Sequence, residues 1–254
     1  MFTMISFSGG RSSAMMTKIL CENIPEDKRI ICFANTGKEH ELTLKFVHDY
    51  EVHFSEKIHW IEYCEVNGYK LVEYETASRQ GEPYAALIKK RGFLPNPVTR
   101  FCTTELKIRP IKKFIQSLGY KEWENAVGIR YDEPSRYARL PKGCAKEPYE
   151  TIAPLYHLRV NKADVLKFWE SQTFNLEIPE YLGNCDMCFL KARSKLKHII
   201  KTEPKIVEWW IQQENQTGST FRNNISYKKL VFAVKVMPEL FDDDTEIDCL
   251  CTID

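Results

Sequence analysis

The stretch at residues 2–16, FTMISFSGGRSSAMM, decides the fold of this 254-residue chain. Its first half is a short apolar run of the kind that forms a buried parallel strand, and its second half has helical periodicity. A glycine turn between a strand and a helix start suits an anion, because bare amides approach a phosphate closely and the helix dipole is positive there. The predicted phosphate-binding residues are Ser8, Gly9, Gly10, Arg11, Ser12 and Ser13. The alternative is a plain turn whose serines cap the helix.

Strand and helix patterns alternate beyond this stretch. RIICFA at residues 29–34 and IHWIE at residues 58–62 predict two more strands, and short strands are expected at residues 126–129 and 151–155. This alternation predicts an α/β fold with a doubly wound, mostly parallel, five-stranded sheet and a mostly helical C-terminal extension. We predict an α/β domain at residues 1–160, with an insert at residues 68–98 that covers the pocket, and a helical region at residues 161–254.

The overall composition limits the classes of protein to consider. Residues are 43% hydrophobic and 28% charged, which is typical of an ordered globular chain. The net charge of +1 means that any nucleic-acid contact must come from a local basic patch. No apolar run approaches the roughly 20 residues that span a bilayer, and early charged residues exclude an ordinary signal peptide. The expected location is cytoplasmic, with no membrane contact.

Nine cysteines are many for a cytoplasmic chain, where disulfides are disfavoured and clustered thiols indicate metal or redox chemistry. Cys21, Cys32 and Cys64 lie in apolar elements and are predicted core residues. The other six lie beside turns or charged residues: Cys102, Cys144, Cys185, Cys188, Cys249 and Cys251. Among these, the Cys-x-x-Cys pair at 185 and 188 can bind one metal through two thiolates, a spacing used by both structural zinc and iron–sulfur clusters.

Polar groups follow two of the predicted strands where each strand ends. Thr36 and Gly37 follow the second strand, and Gly128, Arg130 and Arg136 belong to the end of the fourth and the turn after it. Ligands of such sheets gather at the carboxyl ends of the strands, and arginine suits a phosphate or sulfate. The alternatives are a plain helix-entry turn at the first position and a surface charge network with neighbouring acids at the second.

Six segments resemble, in order, the phosphoadenylyl-sulfate (PAPS) reductase-like family of the PP-loop adenine nucleotide alpha-hydrolase superfamily. They are SFSGGRSS, NTGKE, CTTELKIRP, GIRYDEPSR, APL and DVLKFW, across residues 6–169. The resemblance implies that residues 1–160 form a PP-loop nucleotide-binding domain for ATP or PAPS. The loop lacks the Gly-Lys-Ser/Thr ending of a Walker loop. Ser12 stands where many PP-loops have an aspartate, which leaves a role for Mg²⁺ open.

The resemblance also assigns roles to the cysteines. The adenylyl-sulfate branch of the family holds a 4Fe-4S cluster with a cysteine pair in the CTTELKIRP segment and a later Cys-x-x-Cys. The implied metal ligands here are therefore Cys102, Cys185, Cys188 and, as the favoured fourth, Cys249, with Cys144 or Cys251 as alternatives and zinc as the alternative metal. Cys251 is the counterpart of the nucleophilic C-terminal cysteine of PAPS reductases, although the usual Glu-Cys-Gly neighbourhood is missing. The alternative for the tail is that it is disordered and its two cysteines are merely exposed.

These points predict an enzyme that binds an adenine nucleotide beside an iron–sulfur cluster and acts in sulfur transfer, with nucleic acid as a candidate acceptor. The catalytic residues would be Cys251, Lys107 and Arg130. One alternative is a PAPS or adenylyl-sulfate reductase that releases sulfite, and another is a non-catalytic, zinc-stabilised module that binds nucleotides or nucleic acid. The expected partners are the nucleotide, a thiol donor such as thioredoxin or a cysteine desulfurase, and a nucleic-acid substrate.

A basic segment follows the Cys-x-x-Cys pair. It reads FLKARSKLKHIIK at residues 189–201, and Trp209 and Trp210 lie shortly after it. Basic residues interleaved with aromatic ones can bind a phosphate backbone and stack a base. The alternative is a solvated helix whose tryptophans anchor it in the core.

Overall fold

The computed structural model describes residues 1–140, 147–179, 181–183, 185–223 and 225–236. The strands are β1 (Thr3–Ser6), β2 (Arg29–Asn35), β3 (Ile58–Glu62), β4 (Lys70–Val72), β5 (Trp123–Ala126) and β6 (Tyr149–Ile152). The first helices are α1 (Arg11–Asn23), α2 (Glu41–Phe54), α3 (Glu82–Arg91) and α4, which comprises Phe101–Thr103, a π-helical segment Thr104–Ile108 and Arg109–Ser117. The later helices are α5 (Pro134–Ala138), α6 (Pro154–His157), α7 (Lys162–Glu170), α8 (Arg193–Thr202), α9 (Ile206–Thr217) and α10 (Tyr227–Val236). A short 3₁₀ turn, Glu26–Lys28, precedes β2.

The six strands form one sheet in the order β4-β3-β2-β1-β5-β6. All neighbouring pairs are parallel except β3 and β4, which are antiparallel. Strand β1 pairs with β2 on one side and β5 on the other, so Ile5 lies opposite Ile31 and Ala126. The chain reverses its winding direction at β1, and the carboxyl ends of strands at such a point form the crevice where ligands bind.

The structure confirms the predicted doubly wound, mostly parallel α/β fold with a helical C-terminal part, but the sheet has one strand more than predicted. The additional strand is β4, which lies inside the predicted insert and closes the sheet's edge. The predicted strands at 126–129 and 151–155 were placed too late, since β5 and β6 begin at Trp123 and Tyr149. Strand β5 reads Trp-Glu-Asn-Ala, which is not an apolar run. The side chain of Glu124 accepts a hydrogen bond from the Thr3 hydroxyl (3.1 Å).

Both faces of the sheet are covered, as parallel sheets require. Alternate residues of a strand point to opposite faces, so Ile5 belongs to the larger core and Met4 to the smaller one. Helix α4 covers the smaller core, where Cys32 is fully buried and burial raises the pKa of its thiol. Partly buried Cys21 packs against the larger core, and burial raises its pKa to about 12. These two cysteines therefore behave as the predicted core residues.

The C-terminal helices pack onto the larger core, which includes Leu196 of α8, Trp210 of α9 and Leu230 of α10. The buried carboxylate of Glu214 accepts hydrogen bonds from the backbone N–H groups of Phe221 (3.2 Å) and Tyr227 (2.8 Å), which fixes the turn between α9 and α10. A division of the chain near residue 160 stays a prediction. Within the described residues, no helix is long and apolar enough to cross a bilayer.

Candidate functional site

The loop between β1 and α1 is closed by its own serines. The Ser13 hydroxyl accepts hydrogen bonds from the backbone N–H (3.0 Å) and the hydroxyl (2.9 Å) of Ser8, and it donates one to the carbonyl of Gly10 (2.9 Å). Gly10 precedes α1 and caps it without a side-chain hydrogen bond. The first N–H groups of α1 lack partners within the helix, so they are donors for an anion at the sheet's carboxyl edge.

A cavity of about 240 Å³ lies over this loop and is here called the PP-loop cavity. The predicted site residues that line it are Ser8, Gly10, Ser12, Ser13, Lys107, Gly128 and Arg136. Apolar side chains form much of the remaining wall, including Ile108, Ile111 and Ile129. Polar donors at one end and an apolar wall at the other are typical of a pocket for a small organic anion.

Gly128 allows the loop after β5 to approach the PP-loop. A Cβ atom at this position would lie 2.8 Å from both the backbone nitrogen and the Cα of Ser13. Real Cβ contacts are essentially never that short. Glycine is therefore required for two strand ends to form one cavity.

The two predicted arginines lie in a buried ionic network beside the PP-loop. Arg130 donates a hydrogen bond to the hydroxyl of Ser12 (3.2 Å) and another to Asp132 (2.9 Å). Glu133 accepts a hydrogen bond from the backbone N–H of Arg130 (3.0 Å) and also pairs with Arg136. The charge network considered as an alternative is thus present, and it holds Arg130 against the PP-loop and Arg136 on the cavity wall.

Two of the six predicted loop residues, Gly9 and Arg11, lie outside the lining of this cavity, as do Thr36, Gly37 and Arg130. The Arg11 guanidinium donates to the side chain of Asn175 (2.8 Å) and to the carbonyl of Leu176, so it ties the PP-loop to the segment after α7. Gly9 has a φ of +83°, and a Cβ there would lie 2.6 Å from Thr43 on α2. Both residues have packing roles that the sequence pattern does not reveal.

A second pocket, here called the thiol pocket, brings together the three predicted metal ligands of the described chain. Cys102, Cys185 and Cys188 all line it, as do Thr36 and Tyr84. The Thr36 hydroxyl oxygen lies 3.6 Å from the Cys185 sulfur. Tyr84 is fully buried and forms a hydrogen bond with Cys102, and its burial and the three neighbouring cysteines raise its pKa well above the usual value.

The thiols of the thiol pocket are soft donors of the kind that bind zinc or an iron–sulfur group. Among the described residues, no three His, Cys, Asp or Glu side chains are placed to share one metal ion. A zinc ion would need every sulfur within about 2.3 Å of its centre. The pocket therefore groups the three cysteines without forming a closed single-ion site among the described residues.

The Cys-x-x-Cys loop is attached to the loop that follows β2. The backbone N–H of Asp186 donates to the carbonyl of Lys38 (2.8 Å), and Glu39 and Cys185 form an isolated antiparallel bridge. The side chains of Lys38 and Asp186 form a buried ion pair (2.8 Å), and the indole N–H of Trp210 donates to the same carboxylate (2.8 Å). Burial raises the pKa of Asp186, and the neighbouring Lys38 opposes that shift.

Lys107 and Thr103 line both the PP-loop cavity and the thiol pocket. They lie in and just before the π-helical segment of α4, and such segments often occur at functional sites. The Lys107 ammonium is 3.4 Å from a carboxylate oxygen of buried Glu39. The other oxygen of Glu39 accepts hydrogen bonds from the backbone N–H (2.8 Å) and hydroxyl (2.7 Å) of Thr36. Lys107 therefore bridges the two sites.

Sequence reasoning missed Lys38, Glu39, Tyr84 and Asp186. Two of these residues lie within the quoted NTGKE segment and one lies between the paired cysteines, so their charges were a usable signal. No local pattern marks Tyr84, because its role depends on the packing of α3 against distant cysteines. Gly37, a predicted ligand, has a carbonyl that accepts a hydrogen bond from the N–H of Gly81 (2.9 Å), which joins the insert to this loop.

Three predicted cysteines lie outside the described residues: Cys144, Cys249 and Cys251. The assignment of the fourth ligand and of the nucleophilic thiol therefore stays a prediction.

The basic segment after the cysteines is partly internal. Lys191 and Lys197 are buried, and the Lys191 ammonium donates to the carbonyl of Gly183. Burial lowers the pKa of Lys191. Trp210 is in the core, and Lys38 lies over the ring of Trp209 (5.1 Å). These positions favour the packing alternative over a nucleic-acid surface at this segment.

Comparison with known proteins agrees with this architecture. Residues 3–176 match the family model of the phosphoadenosine phosphosulfate reductase domain. An uncharacterised nin region protein of Escherichia phage lambda is 31% identical over 235 residues, which cover 88% of this chain and 77% of that protein. An uncharacterised protein of Methanocaldococcus jannaschii is 25% identical over 212 residues, 82% of this chain and 40% of that protein.

Two solved structures have weaker similarity. One is the phosphoadenylyl-sulfate (PAPS) reductase from Candida auris in a phosphate complex, with 14% identity, a TM-score of 0.44, and coverage of 68% of this chain and 74% of that chain. The other is the U34-tRNA thiolase NcsA from Methanococcus maripaludis with its 4Fe-4S cluster, with 18% identity, a TM-score of 0.41, and coverage of 98% and 79%. On the family match, which spans more than half of its length, the chain belongs to the phosphoadenosine phosphosulfate reductase domain family.

Proposed function

We propose that this protein is an enzyme that binds an adenine nucleotide, ATP or PAPS, in the PP-loop cavity and transfers sulfur from the side of the thiol pocket. The observation that carries this proposal is the shared wall: Lys107 and Thr103 line both cavities. A nucleotide phosphate in one cavity and sulfur in the other would thus be separated by a single helical turn. Reactants held this close gain the rate advantage of a pre-oriented pair.

Residues of the chain itself would hold the nucleotide. The first amides of α1, the hydroxyls of Ser8 and Ser12, and the guanidinium of Arg136 face the cavity where phosphates would lie. Lys107 would neutralise charge that develops on the leaving group, and Arg130 would orient Ser12. We assign Arg130 a positioning role on this ground, because its guanidinium is held by Ser12 and Asp132.

Cys102, Cys185 and Cys188 would hold an iron–sulfur cluster, with the fourth ligand still to be assigned. Their convergence on one pocket supports a sulfur-ligated metal group at this place, with zinc as the alternative to the cluster. When bound, the cluster would supply a soft iron with affinity for sulfur. Tyr84 and Thr36 would hydrogen-bond to the ligand sulfurs and exclude water from them.

In the favoured chemistry, an oxygen of the acceptor attacks the α-phosphate of ATP, and pyrophosphate leaves. Hydrosulfide, released when the thiol donor reduces a desulfurase persulfide and becomes a disulfide, then displaces AMP, so a carbon–sulfur bond replaces the carbon–oxygen bond. Positive charge from Lys107 and Arg136 would favour both departures, because each leaving group is a phosphate anion.

The family match supports a second candidate, reduction of PAPS. There a cysteine thiolate attacks the sulfate sulfur and the nucleotide bisphosphate leaves. A thiol donor such as thioredoxin then reduces the resulting thiosulfonate, which releases sulfite and forms a disulfide. The thiolate proposed for this step is Cys251.

Anaerobic purification followed by iron, sulfide and zinc analysis tests the sulfur side of the proposal. We expect iron and sulfide with a broad visible absorbance, and loss of both in Cys185→Ser but not in Cys21→Ser, a partly buried cysteine outside the thiol pocket. Stoichiometric zinc without iron would instead support the non-catalytic binding module.

Product analysis separates the two chemistries. The reduced protein is given ATP or PAPS with a thiol donor and single-stranded RNA as the candidate acceptor, and pyrophosphate and sulfite are measured. Lys107→Met should lower either product by a factor of about 100 or more, the range seen when one charge-stabilising donor is removed. Lys121 precedes β5, at the amino ends of the strands and away from the PP-loop, so Lys121→Met should leave product formation unchanged. If the parent protein forms neither pyrophosphate nor sulfite, the proposal that it is an enzyme of this kind is refuted.

A further inference from the structure

A third cavity, of about 470 Å³, opens beside the two already described and is here called the arginine cleft. It shares Thr103 with both the PP-loop cavity and the thiol pocket. It also shares Arg100 with the thiol pocket and Ile108 with the PP-loop cavity. A third reactant in this cleft would therefore reach nucleotide and sulfur at the same junction.

The lining of the arginine cleft selects a ligand by charge. It includes the guanidinium-bearing residues Arg91 and Arg100 and the hydroxyl-bearing residues Thr99 and Thr103, and no residue of the lining is acidic. Arg91 forms an ion pair with Glu105, which also pairs with Arg109. The Arg100 side chain forms no hydrogen bond or ion pair within the described part of the chain. Arginine forks of this kind suit phosphate oxygens.

The cleft also presents an aromatic surface. Phe93 is 41% exposed, and its ring makes an edge contact with Phe101, with centroids 5.1 Å apart. Arg91 lies over the ring of Phe101 (5.6 Å). The loop that carries Phe93 is anchored by buried Leu94 and by Asn96. The Asn96 side chain accepts hydrogen bonds from the backbone N–H groups of Val98 and Thr99 (2.9 Å each). An exposed ring on an anchored loop is a stacking platform for an unpaired base.

We infer that the arginine cleft binds the sulfur acceptor as one unpaired nucleotide of a single-stranded nucleic acid, with its phosphate at Arg100 and its base against Phe93. Exposed Lys89 and Lys90 at the end of α3 extend the positive surface beside the cleft, where the neighbouring phosphates would lie. This inference rests on the proposed sulfur transfer and names the substrate class for it. The basic segment at residues 189–201, in which Lys191 and Lys197 are buried, is not needed for that contact.

The test uses the full chain and a fluorescein-labelled 12-nucleotide single-stranded RNA of mixed sequence, with anisotropy measured over a range of salt concentrations. Arg100→Ala should weaken binding about tenfold and reduce the slope of log affinity against log salt by about 0.7, the value for one phosphate contact on a single strand. Phe93→Ala should also weaken binding about tenfold but leave that slope unchanged, because stacking releases no counterions.

Lys121→Ala is the matched control, since it removes one exposed cation at the opposite edge of the sheet. It should bind the RNA like the parent protein, and all three variants should melt in one cooperative transition and keep the parent affinity for ATP. The inference is overturned if Lys121→Ala loses as much affinity as Arg100→Ala, if a duplex of the same sequence binds as tightly as the single strand, or if the parent binds ATP but no RNA. Failure to bind either ATP or PAPS would instead refute the proposed function itself.

Discussion

The PP-loop between β1 and α1 and the thiol pocket are built in different ways, although the PP-loop cavity as a whole also has walls from residues 107, 128 and 136. The PP-loop is closed by contacts between residues five positions apart or fewer, chiefly those of Ser8, Gly10 and Ser13. The thiol pocket is assembled from segments near residues 36, 84, 102 and 185 that lie far apart in the chain. Short loops lose little entropy on closure and long ones lose more. We therefore expect the thiol pocket to depend more strongly on individual long-range contacts.

The largest effect should come from breaking the ion pair that joins Lys38 to the Cys-x-x-Cys loop. Asp186→Ala leaves a buried ammonium without its partner, which costs about 3–5 kcal/mol of unfolding free energy. Urea denaturation measures this loss. Glu22→Ala, which breaks the exposed Lys18–Glu22 pair (3.1 Å), should cost less than about 1 kcal/mol. Equal losses in the two variants would show that the thiol pocket does not rely on this contact.

The next largest effect should come from adding a methyl group at Gly128, which narrows the PP-loop cavity and leaves the thiol pocket unchanged. Gly128→Ala places a Cβ against the Ser13 backbone, so we expect a loss of about 1–3 kcal/mol of stability and weaker nucleotide binding. Isothermal titration with ATP and with PAPS gives the affinities. Gly218→Ala is the control: its φ of +65° makes alanine unfavourable, but the added methyl meets open space. It should lower stability while nucleotide affinity stays at the parent value.

A smaller effect is expected from removing a single buried hydroxyl in the thiol pocket. Tyr84→Phe removes a hydrogen bond to Cys102 and should cost about 1 kcal/mol, with no change in nucleotide affinity. Tyr63→Phe provides the comparison, because the buried hydroxyl of Tyr63 has no hydrogen-bond partner among the described residues. Removal of the Tyr63 hydroxyl should leave the free energy of unfolding unchanged or raise it. If Tyr63→Phe proves the costlier variant, the Tyr84 hydroxyl does not support the pocket.

The smallest effect is a pH dependence that arises outside both sites. Burial, aided by Lys57, lowers the pKa of His59, whose ring packs against Phe114 of α4. The unfolded chain then binds more protons than the folded one between the lowered pKa and the ordinary value of about 6.5, so stability falls as pH drops through this window. Thermal melts between pH 7.5 and 5 should show a smaller decrease for His59→Gln than for the parent. If the melting temperature falls equally in His59→Gln and in the parent, other titratable groups cause the pH dependence.

Local signals in the sequence were sufficient for the PP-loop side. The apolar run, the glycine turn and the helix start at residues 2–16 predicted β1, the loop and α1, because each depends on neighbouring residues. The amphipathic pattern of residues 111–118 likewise predicted the last part of α4. Prediction was weaker where a strand carries polar residues, so the start of β5 was missed and β4 was not predicted at all.

The sequence by itself determined the α/β class, the position of the serine–glycine loop between β1 and α1, and which three thiols line one pocket. Only the tertiary structure decided that Arg11 turns to Asn175, that Tyr84 enters the thiol pocket, and that Lys107 borders both sites. The physical reason is range: backbone propensity and side-chain periodicity act over a few residues, whereas the partner of a buried charge or hydroxyl is set by which distant segments pack together.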